Sequence, residues 1–287
     1  MRLEISTVML QWAAGGLAFL WVTTRRREVG LGYGWLLRGV YAALAGIALA
    51  ASIAGGGSGT AATIFRVASA ATAVAALGTF VVSVAQRRAG VAGLRERREA
   101  GRERVAAMIG SSADPQPEAA PAREFPPALD LVAPLCGLVG LFAAASIDGG
   151  PYPLTLFRLL AGAALLGAST DAMLLGHWYL VQPGLGRDPI RELVWLLAIV
   201  WLLDVIAFLI PPGVVSVFTG SIDDGYGGLL AWIWLTSALT TITLAGVTWL
   251  ALKERSYSAV MAATGLLYLA ILTAFGTDLV ARALLTT

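Results

Sequence analysis

Apolar residues gather in eight blocks along this chain, at about 7–24, 33–53, 61–85, 128–147, 153–181, 192–212, 228–252 and 257–279. Each block is long enough to cross roughly 30 Å of hydrocarbon as an α-helix rising 1.5 Å per residue. None alternates apolar and polar residues as a membrane barrel strand would. Backbone amides and carbonyls find no water in lipid, so these spans satisfy their own hydrogen bonds as helices. The expected fold is an all-α polytopic membrane protein of eight transmembrane helices. Residues 1–85 hold the first three and residues 127–287 the other five.

The joints between blocks differ in charge. Arg25, Arg26 and Arg27 follow span one, Arg87 to Arg104 follow span three, Arg187 and Arg191 follow span five, and Lys253 and Arg255 follow span seven. The alternate joints, "GGGSGT", "DGGPYP" and "GSIDDGYGG", carry no cation. Cations concentrate in cytoplasmic loops, so this alternation places both termini outside the cytoplasm of a cell inner (cytoplasmic) membrane. Span one has its charges after the apolar run, not before it. It therefore reads as an uncleaved helix inserted N-terminus outward, not as a secretory signal.

The cation-free joints share a pattern: "ASIAGG" at 51–56, "ASIDGG" at 145–150 and "GSIDDG" at 220–225. Phe65-Arg66 and Phe157-Arg158 follow the first two, while the third has Trp232-Ile233 at that place. We expect three parallel helical hairpins, spans 2–3, 4–5 and 6–7, flanked by spans 1 and 8. The plainer reading is that such a stretch makes a good turn, with Gly ending one helix and Ser or Asp capping the next. Residues 86–126 stand apart. Their first part contains Arg87, Arg88, Arg95, Arg97, Arg98, Arg102 and Arg104, and reads as a cytoplasmic helix continuing span three along an anionic leaflet. The Pro/Ala-rich remainder reads as a linker. Such a belt of arginines fits lipid headgroups, and no nucleic-acid partner is expected.

Ionisable side chains inside a span cost roughly 2.5–3.5 kcal/mol on insertion scales, so each one asks for a reason. They are Arg38, Arg66, Arg158, Asp171, Asp204 and, near an end, Asp278. Depth estimates from the helical rise bring Arg158 and Asp204 to similar levels of consecutive spans, which predicts an ion pair with Arg66 and Asp278 as further members. Asp171 shares a face with Ala164, Gly167, Ala168 and Trp178, so it is expected to face the bundle with Arg38 as partner. Either pair serves packing, or it lines a proton path or a polar pocket.

His177 is the only histidine and Cys136 the only cysteine, so a haem held by two histidines of this chain is excluded, and so is a thiolate cluster. By the rise, His177 lies roughly 36 Å along span five, at the interface, where Trp178 and Tyr179 read as an aromatic belt. His177, Trp178, Tyr179 and Gln182 could also supply the donor and aromatic wall that a quinone or lipid headgroup needs. A haem or metal site comes last among the three readings, and no metal ligand set is expected.

Composition changes the picture little. Residues are 57% hydrophobic and only 13% charged, about half the charge of a soluble domain. "GLGYG" at 30–34 follows no strand, so it is not a dinucleotide fingerprint, and no self-contained catalytic motif stands out. The expected role is a membrane-embedded accessory or anchor subunit of a larger bioenergetic complex, with bound lipid or quinone and other membrane subunits as partners. The alternatives are a secondary transporter using the buried Arg and Asp residues, and an envelope scaffold or lipid-handling protein.

Overall fold

The computed structural model describes residues 3–109, 124–182 and 184–286, without the side chains of Leu94, Arg97, Arg98 and Ile109. Most of the expected Pro/Ala-rich linker therefore lies outside the described residues, as do the placements expected for Arg97 and Arg98. Every regular element among the described residues is helical: α1 (Ile5–Thr24), α2 (Leu31–Ala54), α3 (Thr60–Ala85), α4 (Ala92–Ile109), α5 (Val132–Ile147), α6 (Tyr152–Val181), α7 (Asp188–Leu209), α8 (Val214–Phe218), α9 (Leu229–Ala251) and α10 (Tyr257–Leu284). Short 3₁₀ turns at Arg87–Ala89 and Pro127–Leu131 precede α4 and α5. Eight helical spans among the described residues, α5 counted with its 3₁₀ turn as Pro127–Ile147 and α4 and α8 left out, are long and apolar enough to cross a membrane, so the chain is a multi-pass membrane protein.

Three boundaries depart from the apolar pattern. The arginine-rich segment does not continue α3: Gly90 adopts φ +67°, and α4 starts afresh after it. α7 runs from Asp188 to Leu209, earlier at both ends than expected, and α8 occupies part of the supposed outer joint. α10 continues five residues past position 279, to Leu284.

α6 is the central helix, with 78% of its most apolar window buried. It lies against α1 on one side and α7 and α10 on the other, while α2, α3 and α5 surround α1, and α9 packs on α10 and α7. The α1–α6 seam is built from residues with little or no side chain. A Cβ on Gly15 would come within 1.7 Å of the Ala163 carbonyl oxygen, and one on Gly167 within 2.3 Å of the Gly15 backbone. Apolar side chains gain nothing from leaving lipid for protein, so backbone proximity of this kind supplies the attraction. Polar bonds then fix the register: Gln11 donates to the Leu159 carbonyl at 2.6 Å and Trp12 Nε1 to Thr170 Oγ1 at 2.9 Å. Gln11 meets Leu159 and Gly15 meets Ala163 and Gly167, so α1 and α6 run parallel. The pairs Gly162–Asp278 and Gly176–Thr264 show α10 running antiparallel to α6.

Candidate functional site

Consecutive residues of a helix point about 100° apart, and this separates the expected interfacial group. His177 is exposed on the flank of α6, its Nδ1 3.3 Å from the Tyr268 hydroxyl and its ring edge-on to that tyrosine at 6.3 Å. Trp178 and Gln182, one turn apart, face α2: Gln182 Oε1 accepts the Trp178 indole N–H at 3.0 Å and the Gly30 amide at 2.9 Å. Tyr179 is buried in the core and donates to the Gly186 carbonyl. The four residues do not form one wall. Among the described residues, no group of three or more His, Cys, Asp or Glu is placed to hold a metal ion.

The buried charges are paired differently from the expectation. Arg158 does not meet Asp204. Its Nε donates to the Ala207 carbonyl at 3.0 Å, and its Nη2 to the Ile210 and Pro212 carbonyls at 2.8 and 2.7 Å. It closes the C-terminal end of α7, where unsatisfied carbonyls carry partial negative charge. Arg66 does the same for α2, binding the Ser52 and Gly57 carbonyls at 2.9 and 2.7 Å, and is no member of the Arg158 group. Both arginines follow the shared turn pattern, and both cap a helix that ends at the same side of the molecule.

Arg38 does not meet Asp171 either. Its Nε and Nη2 grip the two oxygens of Asp130, both at 2.8 Å. The Thr24 hydroxyl donates to the same carboxylate, and the Phe125 ring lies 4.5 Å from the guanidinium. Asp171 is fully buried between α6 and α2: Tyr41 donates to Oδ1, while Oδ2 has no partner among the described residues. The Tyr33 hydroxyl donates to the Asp171 main-chain carbonyl at 3.2 Å. Gly16 makes this possible, since a Cβ there would stand 2.0 Å from the Tyr41 ring.

Asp278 pairs with Arg282, one turn along α10, through bonds of 2.7 and 3.0 Å, with both side chains fully buried. Gly162 on α6 leaves the space: a Cβ there would lie 2.1 Å from Asp278 Oδ1. Asp204 on α7 belongs to this cluster. It is fully buried, the ionisable groups acting on it are Asp278 and Arg282, and neither of its carboxylate oxygens has a hydrogen-bond partner among the described residues. Two buried carboxylates thus stand near one buried guanidinium, which Asp278 bonds and Asp204 does not. Arg158 lies one turn before Gly162 on α6, roughly 6 Å by the helical rise, and lines a cavity of about 160 Å³ with Thr155, Pro212 and Leu284 at the start of that helix.

The opposite end carries the cations. Arg25 and Arg26 bind Glu192 at 2.5 and 2.6 Å, and Arg27 and Arg95 converge on Glu124. The Glu192 hydrogen bond raises the Arg26 guanidinium further above its ordinary value. Arg87, Arg88, Arg102 and Arg104 are exposed. Asp130 and Arg282 are the site residues that sequence reasoning missed. Asp130 lies just inside the expected span 128–147 but is not among the in-span charges named from sequence. Arg282 fell outside a span taken to stop at 279, although its i, i+4 spacing from Asp278 was readable. Comparison with known proteins found no matching family model, no similar curated protein and no similar solved structure.

Proposed function

We propose that this chain is a secondary transporter of the cytoplasmic membrane, coupling the passage of a small anion to a proton carried on Asp204. Asp204 carries this reading: a fully buried carboxyl without a hydrogen-bond partner among the described residues, beside a second carboxylate and a single guanidinium. A group that served packing alone would be expected to have its oxygens satisfied. The solute meets the protein in the cavity lined by Arg158, where the guanidinium and the start of α6 both favour negative charge. Asp171, about 14 Å further along α6 from Gly162, is a second proton-carrying group toward the arginine end. With the cation-bearing joints in the cytoplasm, the Arg158 cavity opens outside and both termini lie there too. The three turn motifs then belong to parallel hairpins, the first two of which each supply an arginine at the outer side.

The test is solute-driven proton movement in proteoliposomes, read with a trapped pH dye while acetate, lactate, phosphate or chloride is added. Wild type is expected to move protons with at least one of them, and Asp204→Asn to lose the coupling while keeping its fold. Flux that survives unchanged in Asp204→Asn refutes the assignment.

The exposed His177–Tyr268 pair favours a second reading, a membrane subunit of a redox complex offering a quinone-facing or partner-facing flank. It predicts stoichiometric partners on mild purification and poor quinone reactivity in His177→Ala. A protein that purifies alone excludes it.

A further inference from the structure

A small recess lies at the arginine end, apart from the groups that the transport reading uses. At the start of α2 the Gly30 amide is taken by Gln182 Oε1 and the Tyr33 amide by the Gly30 carbonyl, while the Leu31 and Gly32 amides have no side-chain cap. The first-turn N–H groups of such a helix point outward along its axis and attract anions. Arg38 is only 1% exposed and lines the same recess from the next turn of α2. Asp130 occupies its Nε and Nη2, but Nη1 has no partner among the described residues. This nitrogen lies over Gly34, where a Cβ would come within 2.7 Å of it. Leu31, Gly34 and Arg38 line a recess of about 30 Å³ whose rim holds Arg27 and Glu124.

Around it, Arg38 is held by Asp130, while Arg27 and Arg95 converge on Glu124, with Glu28 next to Arg27 in the chain. A bound water needs about 10–15 Å³ by the same measure, so the recess holds two or three oxygen-sized groups and leaves the rest of a ligand outside. A tetrahedral anion can accept from a guanidinium and from helix amides at once. We propose that this recess binds the phosphate group of a ligand, a phosphodiester or a phosphomonoester, between Arg38 Nη1, the first turn of α2 and Arg27. Glu124 competes with that phosphate for Arg27.

The proposal is independent of Asp204 and is tested on the full-length protein in detergent. Binding of short-chain phosphatidylglycerol is measured by native mass spectrometry, and binding of inorganic phosphate by calorimetry. Arg27→Gln is expected to weaken binding about tenfold by removing one charged donor. Gly34→Ala is expected to weaken it at least as much by closing the floor. Glu124→Gln is expected to tighten it several-fold, because it frees Arg27 and Arg95, and a structural role alone would not produce that gain. Arg255→Gln, an exposed cation at the same end, leaves binding unchanged. Saturable binding of the lipid alone identifies a membrane headgroup, whereas binding of inorganic phosphate as well identifies a free phosphate. Should Gly34→Ala fold poorly, the two rim variants still decide. Neither probe binding, or Arg27→Gln and Glu124→Gln binding like wild type, overturns the proposal.

Discussion

Asp204 and Asp278 are chemically identical side chains near one guanidinium, yet their substitutions should differ. Asp278 holds Arg282 with two bonds, while Asp204 holds nothing and stands beside a like charge. Asp204→Asn therefore leaves thermal stability unchanged or raises it. Removing both carboxylates leaves a buried guanidinium without a counter-charge and costs about 3–5 kcal/mol. The double variant should fall well below the sum of the single ones, because each carboxylate partly replaces the other. Equal losses for the two single variants in thermal unfolding would show that Asp204 is an ordinary packing partner. A different carboxylate reports on pH. The Gly228, Tyr226 and Leu230 amides donate to Asp224 at 2.8, 3.0 and 3.1 Å, and the Gly228 bond leads in holding its carboxyl below the usual range. A lowered folded value means the contribution is present above the unfolded value of about 3.9 and is lost as pH falls through the folded one. Hydrogen exchange at Gly228 and Leu230 should accelerate at that low pH in wild type. In Asp224→Asn it should already be faster at neutral pH and show no such step.

Between helices, space matters more than charge. The α1–α6 seam tolerates no side chain at Gly167, so Gly167→Ala forces two backbones apart and is expected to cost about 1–3 kcal/mol. Gly78, on α3, has nothing within 4 Å of a built Cβ, and Gly78→Ala should be neutral or slightly stabilising. Matching melting curves for the two variants would contradict the account of the seam. The same geometry explains what could be read from sequence. Eight spans were legible because a membrane demands long unbroken apolar runs, and Arg66 and Arg158 were legible as charges after a shared turn pattern. Their partners were not legible. A guanidinium at that depth reaches whichever helix end or carboxylate the helix rotation presents, and here it presents carbonyls. The depth match of Arg158 and Asp204 placed them on neighbouring helices, but it carried no information on facing. Tyr41 as the partner of Asp171 depends on Gly16 standing opposite its ring, a three-helix coincidence that no single span contains.

Taken as a whole, the molecule places a cavity beside Arg158 at one end, a shared-charge cluster one turn deeper, a second buried acid beyond it, and a belt of cations at the far end. Exposed apolar residues cover the flanks of α2, α3, α9 and α10, the surface that lipid would contact. On the transport reading proposed above, that order of polar groups through an apolar body carries the coupling, with Asp204 at its centre. The most direct measurement is proton movement driven by small anions in proteoliposomes, comparing wild type with Asp204→Asn at equal amounts of folded protein. The account predicts anion-dependent proton flux in wild type and none in the variant. Equal flux in both, or no proton movement with any anion tested in wild type, would contradict it.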